Sequence, residues 1–171
     1  MAIDTTINGD NANSYISIED ANDYFMGRLY SDLWINADDI KKEQALRTAT
    51  ARIDMEKFYG DKQQSSQALK FPRVNIGYLD GVLIDGILPK TLLNATCELA
   101  IYLLSNDMSK PSVDLSGVQK FKAGSLSIDF VEPDKNDNVT VDNNELPPFV
   151  KYLLADFSKT VATSGLIDIG R

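Results

Sequence analysis

The stretch Pro89-Lys90-Thr91-Leu92-Leu93-Asn94-Ala95-Thr96-Cys97-Glu98-Leu99-Ala100-Ile101-Tyr102-Leu103-Leu104 decides the fold. Pro89 suits the first helical position, where its missing N–H has no partner to lose. Beyond it, Leu92, Leu93, Ala95, Cys97, Leu99, Ala100, Ile101, Tyr102, Leu103 and Leu104 cover almost every side of a helix. A helix that is apolar all round is buried, by its own chain or by other subunits. The stretch therefore predicts a central helix on which the others pack. Cys97 reads as a small core residue, because no basic neighbour is in view to lower its pKa.

Upstream, Ser17 caps a predicted helix with Glu19 and Asp20 in its first turn, and Ile18, Ala21, Phe25 and Leu29 form its apolar stripe as far as Leu29. Trp34 falls in a connector that packs onto the core. Asp38 and Asp39 start a second helix, predicted to run to about Phe58 and to be ended by Gly60. Ala45, Leu46, Ala49 and Ile53 make its buried face, while Lys41, Lys42, Arg47, Arg52, Glu43, Asp54 and Glu56 occupy a solvated one. Residues 61–88 read as an irregular, packed connector anchored by Leu69, Phe71, Leu79, Val82 and Ile84.

Downstream, the apolar period changes from helical to alternating. Val118 to Lys122 and Leu126 to Phe130, with Ala123-Gly124 between, predict a β-hairpin at about 117–131. A lone hairpin is marginal in water and needs a surface to lie on. Residues 132–145 form an acidic loop: five acids against Lys135 leave a net −4, half the charge of the chain. Pro147-Pro148 leads into a fourth helix with the stripe Val150, Leu153, Leu154, Phe157 and Val161. The predicted fold is mainly α, a small four-helix bundle with an inserted β-hairpin, an irregular central connector and extended termini. A polar arm spans 1–14, the helical domain 15–161, and a tail 162–171 whose Leu166, Ile167 and Ile169 either dock elsewhere or fold against their own domain.

Composition excludes much chemistry. The chain has 171 residues, a formal net charge of −8, one Cys and no His. Ser-His-Asp and Cys-His catalysis and His-ligated zinc or haem are therefore impossible. One Cys can make neither an internal disulfide nor a Cys-rich metal site. Residues 1–14 carry no basic and apolar leader, and the longest apolar run, Leu99–Leu104, is far short of the ~20 residues a membrane span needs. An intracellular setting without a membrane partner follows as the expectation. No phosphate loop, dinucleotide fingerprint or zinc pattern is present, so no cofactor and no enzymatic activity are expected. Among the carboxylates none sits in an apolar setting that marks a shifted pKa. Glu98, on the buried helix, is the best catalytic candidate; its plain reading is a partner for an Arg such as Arg47 or Arg52 across a helix interface, or simple exposure on that helix's one polar side.

Two constellations need weighing. Asp134, Asn136, Asn138, Thr140, Asp142 and Glu145 place oxygen atoms at the ligand positions of a calcium loop. Val139 stands where that loop needs Gly, and a strand rather than a helix precedes it, so a solvated Asn/Asp loop is the default and no metal is assigned. Lys57, Lys62, Lys70 and Arg73 surround Asp61, with Phe58, Tyr59 and Phe71 interleaved. Cations for phosphates and aromatic faces for bases are what a single-strand binder uses, although a net −8 demands that the charges be well segregated.

Six pieces in order add a resemblance: Asn13 to Ala21 with Tyr24-Phe25; Ala45-Leu46 and Ala49 to Asp54; Gln67-Ala68-Leu69-Lys70-Phe71-Pro72-Arg73; Asp80-Gly81 with Ile87-Leu88-Pro89; Ala95 to Ala100; and Lys122 to Ile128. Together, from about 13 to 157, they resemble the head–tail connector, or adaptor, proteins of long-tailed phages, with Phe71 where that family usually has Trp. The N-terminal dozen residues and 132–145 fall outside the resemblance. It implies a structural virion protein of the phage neck that completes the head after DNA packaging, made in the host cytoplasm. Its implied partners are the portal protein, neighbouring copies in a ring of twelve, and the next neck or tail-completion protein, with packaged DNA passing through the channel. The interface would be built from the tail (Leu166, Ile167, Ile169, Arg171) and the hairpin (Phe121, Leu126, Ile128, Phe130), and the acidic loop would face the channel. The same proteins are often labelled DnaT-like single-stranded-DNA binding. That label implies the alternative, an accessory protein of phage replication contacting DNA through Lys57, Lys62, Lys70, Phe71 and Arg73.

Overall fold

The computed structural model describes residues 2–79, 82–83, 85–108, 120–123, 126–129 and 145–159. It is mainly helical, with five helices and three two-stranded antiparallel sheets among the described residues. It divides into two units, Met1–Asn106 with Leu146–Arg171, and Asp107–Glu145. Among the described residues, no helix is long and apolar enough to cross a membrane.

α1 (Ile18–Met26) begins as the sequence predicts: Ser17 is extended and its Oγ accepts the Asp20 N–H at 3.0 Å. It stops at Gly27, before Leu29, which lies exposed beyond the helix instead of extending the stripe. Trp34 sits not in a plain connector but in the single turn α2 (Asp32–Ile35). Its ring stacks on Phe25 with centroids 4.7 Å apart, and its Nε1–H donates to Asn22 Oδ1 at 2.9 Å. The one polar atom of a buried indole is thereby satisfied.

α3 (Asp39–Ile53) is capped by Asp38, whose carboxylate accepts the Lys41 N–H at 2.8 Å. Ala45, Leu46, Ala49, Thr50 and Ile53 are buried. The helix ends at Ile53 rather than near Phe58, because the Met55 and Glu56 N–H groups bond back to Arg52 O and Ile53 O in tightened turns. Gly60 is therefore not its cap. At φ +71°, Gly60 turns the chain into the connector, and a Cβ there would lie 2.2 Å from Val74 O. Only glycine fits such a turn at that spacing.

Within the connector, β1 (Asp61–Lys62) pairs antiparallel with β2 (Arg73–Val74), and β3 (Tyr78–Leu79) with β4 (Val82–Leu83). Side chains supply the order that such short ladders cannot. Buried Gln67 donates from Nε2 to Leu69 O at 2.8 Å and Pro72 O at 3.1 Å, and its Oε1 accepts the Gln64 N–H at 2.9 Å. The Asp85 carboxylate accepts from the N–H groups of Asn75, Ile76 and Gly77 at 3.1, 2.9 and 3.1 Å. Those bonds, the one from Gly77 foremost, hold its pKa below the ordinary carboxylate value.

α4 (Lys90–Leu103) packs between α3 and α5, with Leu92, Ala95, Thr96, Cys97, Leu99, Ala100 and Ile101 buried. Burial pushes the Cys97 thiol up to about 12, which suits a core residue and not a nucleophile. In the second unit, β5 (Lys120–Ala123) and β6 (Leu126–Asp129) form the predicted hairpin, with Phe121 opposite Ile128 and Ala123 opposite Leu126. α5 (Pro148–Leu154) buries Val150 and Leu154, with Phe157 buried just beyond.

One carboxylate overturns an expectation. Asp54 does not lie on a solvated face. The Tyr15 hydroxyl donates to its Oδ1, and the Lys70 backbone N–H donates to Oδ2 at 3.0 Å. The Phe71 N–H in turn donates to the Tyr15 oxygen at 3.3 Å. Burial raises the pKa of both Asp54 and Tyr15. Helical periodicity placed Asp54 with the polar residues correctly, but the helix ends there and the chain folds back over it.

Asp54→Ala leaves two donors without an acceptor and is expected to cost about 2–3 kcal/mol in a denaturant titration. The pH dependence has a definite sign. With its folded-state pKa raised above 3.8, Asp54 binds its proton more tightly in the folded state than in the unfolded one. The associated stability is complete below that value and is lost as pH rises through the raised pKa. Asp54→Asn, which cannot titrate, should therefore gain on the wild type as pH rises from 3.8 through the raised pKa; a difference that does not change with pH contradicts this assignment.

Candidate nucleic-acid interface

The basic–aromatic segment 57–73 is sorted by the fold into struts, core and surface. Phe71 is 2% exposed. Its ring lies 4.9 Å from Phe58, 5.5 Å from Phe157 and 6.2 Å from Tyr15, centroid to centroid. These four rings join α3, the connector and the chain after α5. Phe71 thus has no face to offer a base, which corrects its assignment as a contact residue.

Arg73 is a strut. Its Nε donates to Tyr59 O at 2.6 Å, Nη1 to Lys70 O at 3.2 Å and Nη2 to Gly60 O. Burial lowers its pKa from the usual arginine value. Lys70 Nζ donates to Glu56 O at 2.6 Å and lies 5.9 Å from the Phe58 ring centroid. Lys62, exposed along most of its length, donates from Nζ to Gln67 O at 2.9 Å. Lys62 and Lys70 therefore bring positive charge to the neighbourhood while stitching loops together. Lys57 is exposed.

The sequence missed the element that completes this patch. Phe58 and Ser158 face each other in an isolated antiparallel bridge. The Tyr59 N–H donates to Phe157 O at 2.9 Å, and the Lys159 N–H donates to Lys57 O at 2.7 Å. The bridge lays 157–159 beside 57–59 and brings Lys159 Nζ to 5.9 Å from the centroid of the Tyr59 ring. Tyr59 is 48% exposed. An ammonium at that distance is attracted by the ring's quadrupole. The result is an exposed aromatic ring beside exposed Lys159, with exposed Lys57 opposite Lys159 in the bridge. No local signal could have joined positions a hundred residues apart.

Glu98 has the expected arginine partner, and it is Arg28 rather than Arg47 or Arg52. Arg28 grips it bidentately, Nε to Oε1 at 2.6 Å and Nη2 to Oε2 at 2.8 Å, and the Tyr24 hydroxyl donates to Oε1 at 2.6 Å. Its three contacts make it a structural anchor of α1 on α4. Arg28 lies just past α1, and its reach of seventy residues in sequence carries no local signature.

The remaining assignments fall elsewhere. Leu166, Ile167, Ile169, Arg171, Phe130, Val161 and Ile84 lie outside the described residues, as do Asp134, Asn136, Asn138 and Asp142 of the calcium-like loop. Glu145, its last position, is exposed. Among the described residues no group of three His, Cys, Asp or Glu could hold a metal ion. Phe121, Leu126 and Ile128 belong to the hairpin strands.

The comparisons with known proteins bear on this geometry. No curated protein and no solved structure gives a match. The model of the family described as "Putative DnaT-like ssDNA binding protein" matches residues 1–169, including the N-terminal arm and the acidic segment that the phage resemblance leaves out. That match corrects the expectations of a virion neck adaptor. The portal protein, a ring of neighbouring copies, the next neck protein and the head-completion role give way to single-stranded DNA as the partner that the family description names. Matched over nearly its whole length, the chain belongs to that family.

Proposed function

We propose that this protein binds single-stranded DNA without reading its sequence, as a non-enzymatic accessory of phage DNA replication. Family membership supports the reading, and one observation carries it: the exposed Tyr59 ring with Lys159 Nζ 5.9 Å from its centroid, and exposed Lys57 opposite Lys159 in the bridge. A base stacks on the ring because every base has a π face, and the ammonium groups meet the phosphates on either side. The overall charge of −8 does not forbid this, since half of it lies in residues 132–145 of the sequence and the segment 57–73 is itself positive.

The roles are separable by experiment. In anisotropy titrations of a labelled oligothymidylate, Tyr59→Ala should weaken binding by the ~1–3 kcal/mol of one stacked base, with little change in salt dependence. Lys57→Ala and Lys159→Ala should each reduce the slope of log K against log salt by about 0.7. Phe71→Ala should instead lower stability by about 3–5 kcal/mol, as expected of a core ring. A wild-type protein with no affinity for the oligonucleotide at low salt contradicts the reading.

A further inference from the structure

Six residues of α1, α4 and α5 and their edges, Tyr24, Arg28, Glu98, Phe149, Tyr152 and Leu153, line an open groove of about 600 Å³. That is within the roughly 300–1,000 Å³ of small-ligand sites. Its walls are unusual for a surface. Tyr152 is 82% exposed and Phe149 43%, on a helix whose opposite face, Val150 and Leu154, is fully buried. Phe149 is steadied edge-to-face by Tyr102 at 6.0 Å, and Tyr24 by its hydrogen bond to Glu98.

The floor determines what the groove can hold. Arg28 commits Nε and Nη2 to Glu98, and Nη1 to Leu29 O at 3.0 Å and Tyr30 O at 3.1 Å. Its charge is cancelled by Glu98 and its guanidinium is engaged on every nitrogen, so it is not placed to grip a phosphate. What the groove offers is aromatic face beside a neutralised polar floor, which matches a neutral planar heterocycle. The groove is also continuous in chain with the patch described above. α5, about 10 Å long, leads directly into Phe157–Lys159, the segment that pairs with Lys57–Tyr59.

We infer that this groove is a second base-binding subsite, which stacks an unpaired nucleobase on Tyr152 and Phe149 and makes no phosphate contact. As a subsite for DNA it rests on the single-stranded-DNA reading. The division of labour is specific: Lys57 and Lys159 supply the salt-dependent part of binding, and Tyr152 and Phe149 a salt-independent part.

The test uses the full chain, an oligothymidylate in a salt series, and free thymidine followed by NMR shifts of the tyrosine and phenylalanine ring signals. Tyr152→Ala, at an exposed position that leaves the core intact, should weaken oligonucleotide binding about 5- to 150-fold with the salt slope unchanged. Tyr152→Leu, which keeps apolar bulk without a ring, should weaken it too. Unchanged affinity in both variants, or a loss accompanied by a lower salt slope, overturns the inference. If the wild type binds no oligonucleotide, the single-stranded-DNA reading has failed and thymidine alone decides. Shifts at Tyr24, Phe149 and Tyr152 then sustain the groove as a base site, and their absence overturns it.

Discussion

The Asp54 carboxylate is the constraint on which the rest of the arrangement depends. It takes the Tyr15 hydroxyl from the N-terminal segment and the Lys70 N–H from the connector, where α3 ends. With those two attachments made, Phe71 falls into the ring cluster with Phe58 and Phe157, and Arg73 is positioned to tie Tyr59, Gly60 and Lys70 through their carbonyl oxygens. A long connector with only two-residue ladders would otherwise lack cooperative order. A buried carboxylate costs solvation, and hydrogen bonds from groups that would themselves be stranded offset that cost. This is why Asp54, at the C-terminal end of α3, faces inward.

The surface follows from that interior. Once Phe58 and Phe157 are buried, the backbone between them closes the Phe58–Ser158 bridge and turns the intervening residues outward. Tyr59, Lys57 and Lys159 are therefore exposed together as a by-product of core packing. The charges nearest the core, Arg73 and Lys70, serve carbonyl groups of the chain, while those on the bridge face solvent. A segment that reads as one basic–aromatic cluster thus separates into a structural half and a half available to a polyanion.

Much of the fold was readable in the sequence. The caps at Ser17 and Asp38, the buried helix after Pro89 and the hairpin are local patterns with local causes, and the structure has each of them; of the stripe expected in the last helix, α5 buries Val150 and Leu154, and Phe157 is buried beyond its end. The misreadings have two origins. Asp54 and the partner of Glu98 were settled by contacts far away in sequence, which periodicity cannot register, whereas α1 and α3 stop short, before Leu29 and Phe58, at local turns that an apolar stripe does not announce. The candidate site was half visible. Lys57 and the aromatic content of 57–73 stood out, but Phe71 and Tyr59 look alike in sequence, and only burial distinguishes a core ring from a stacking platform. Lys159 was invisible because its relevance depends on the bridge. The phage-connector resemblance was drawn from fragments that locate a fold, and a fold does not determine function.

Photocrosslinking tests whether the bridge is where DNA binds. A bromodeoxyuridine-substituted single strand would be irradiated with the intact protein and the adducts located by mass spectrometry. The account predicts adducts on the peptide carrying Tyr59, lost when excess unlabelled single strand competes. Adducts confined to the 120–129 hairpin, or none at all while binding is evident, would contradict it.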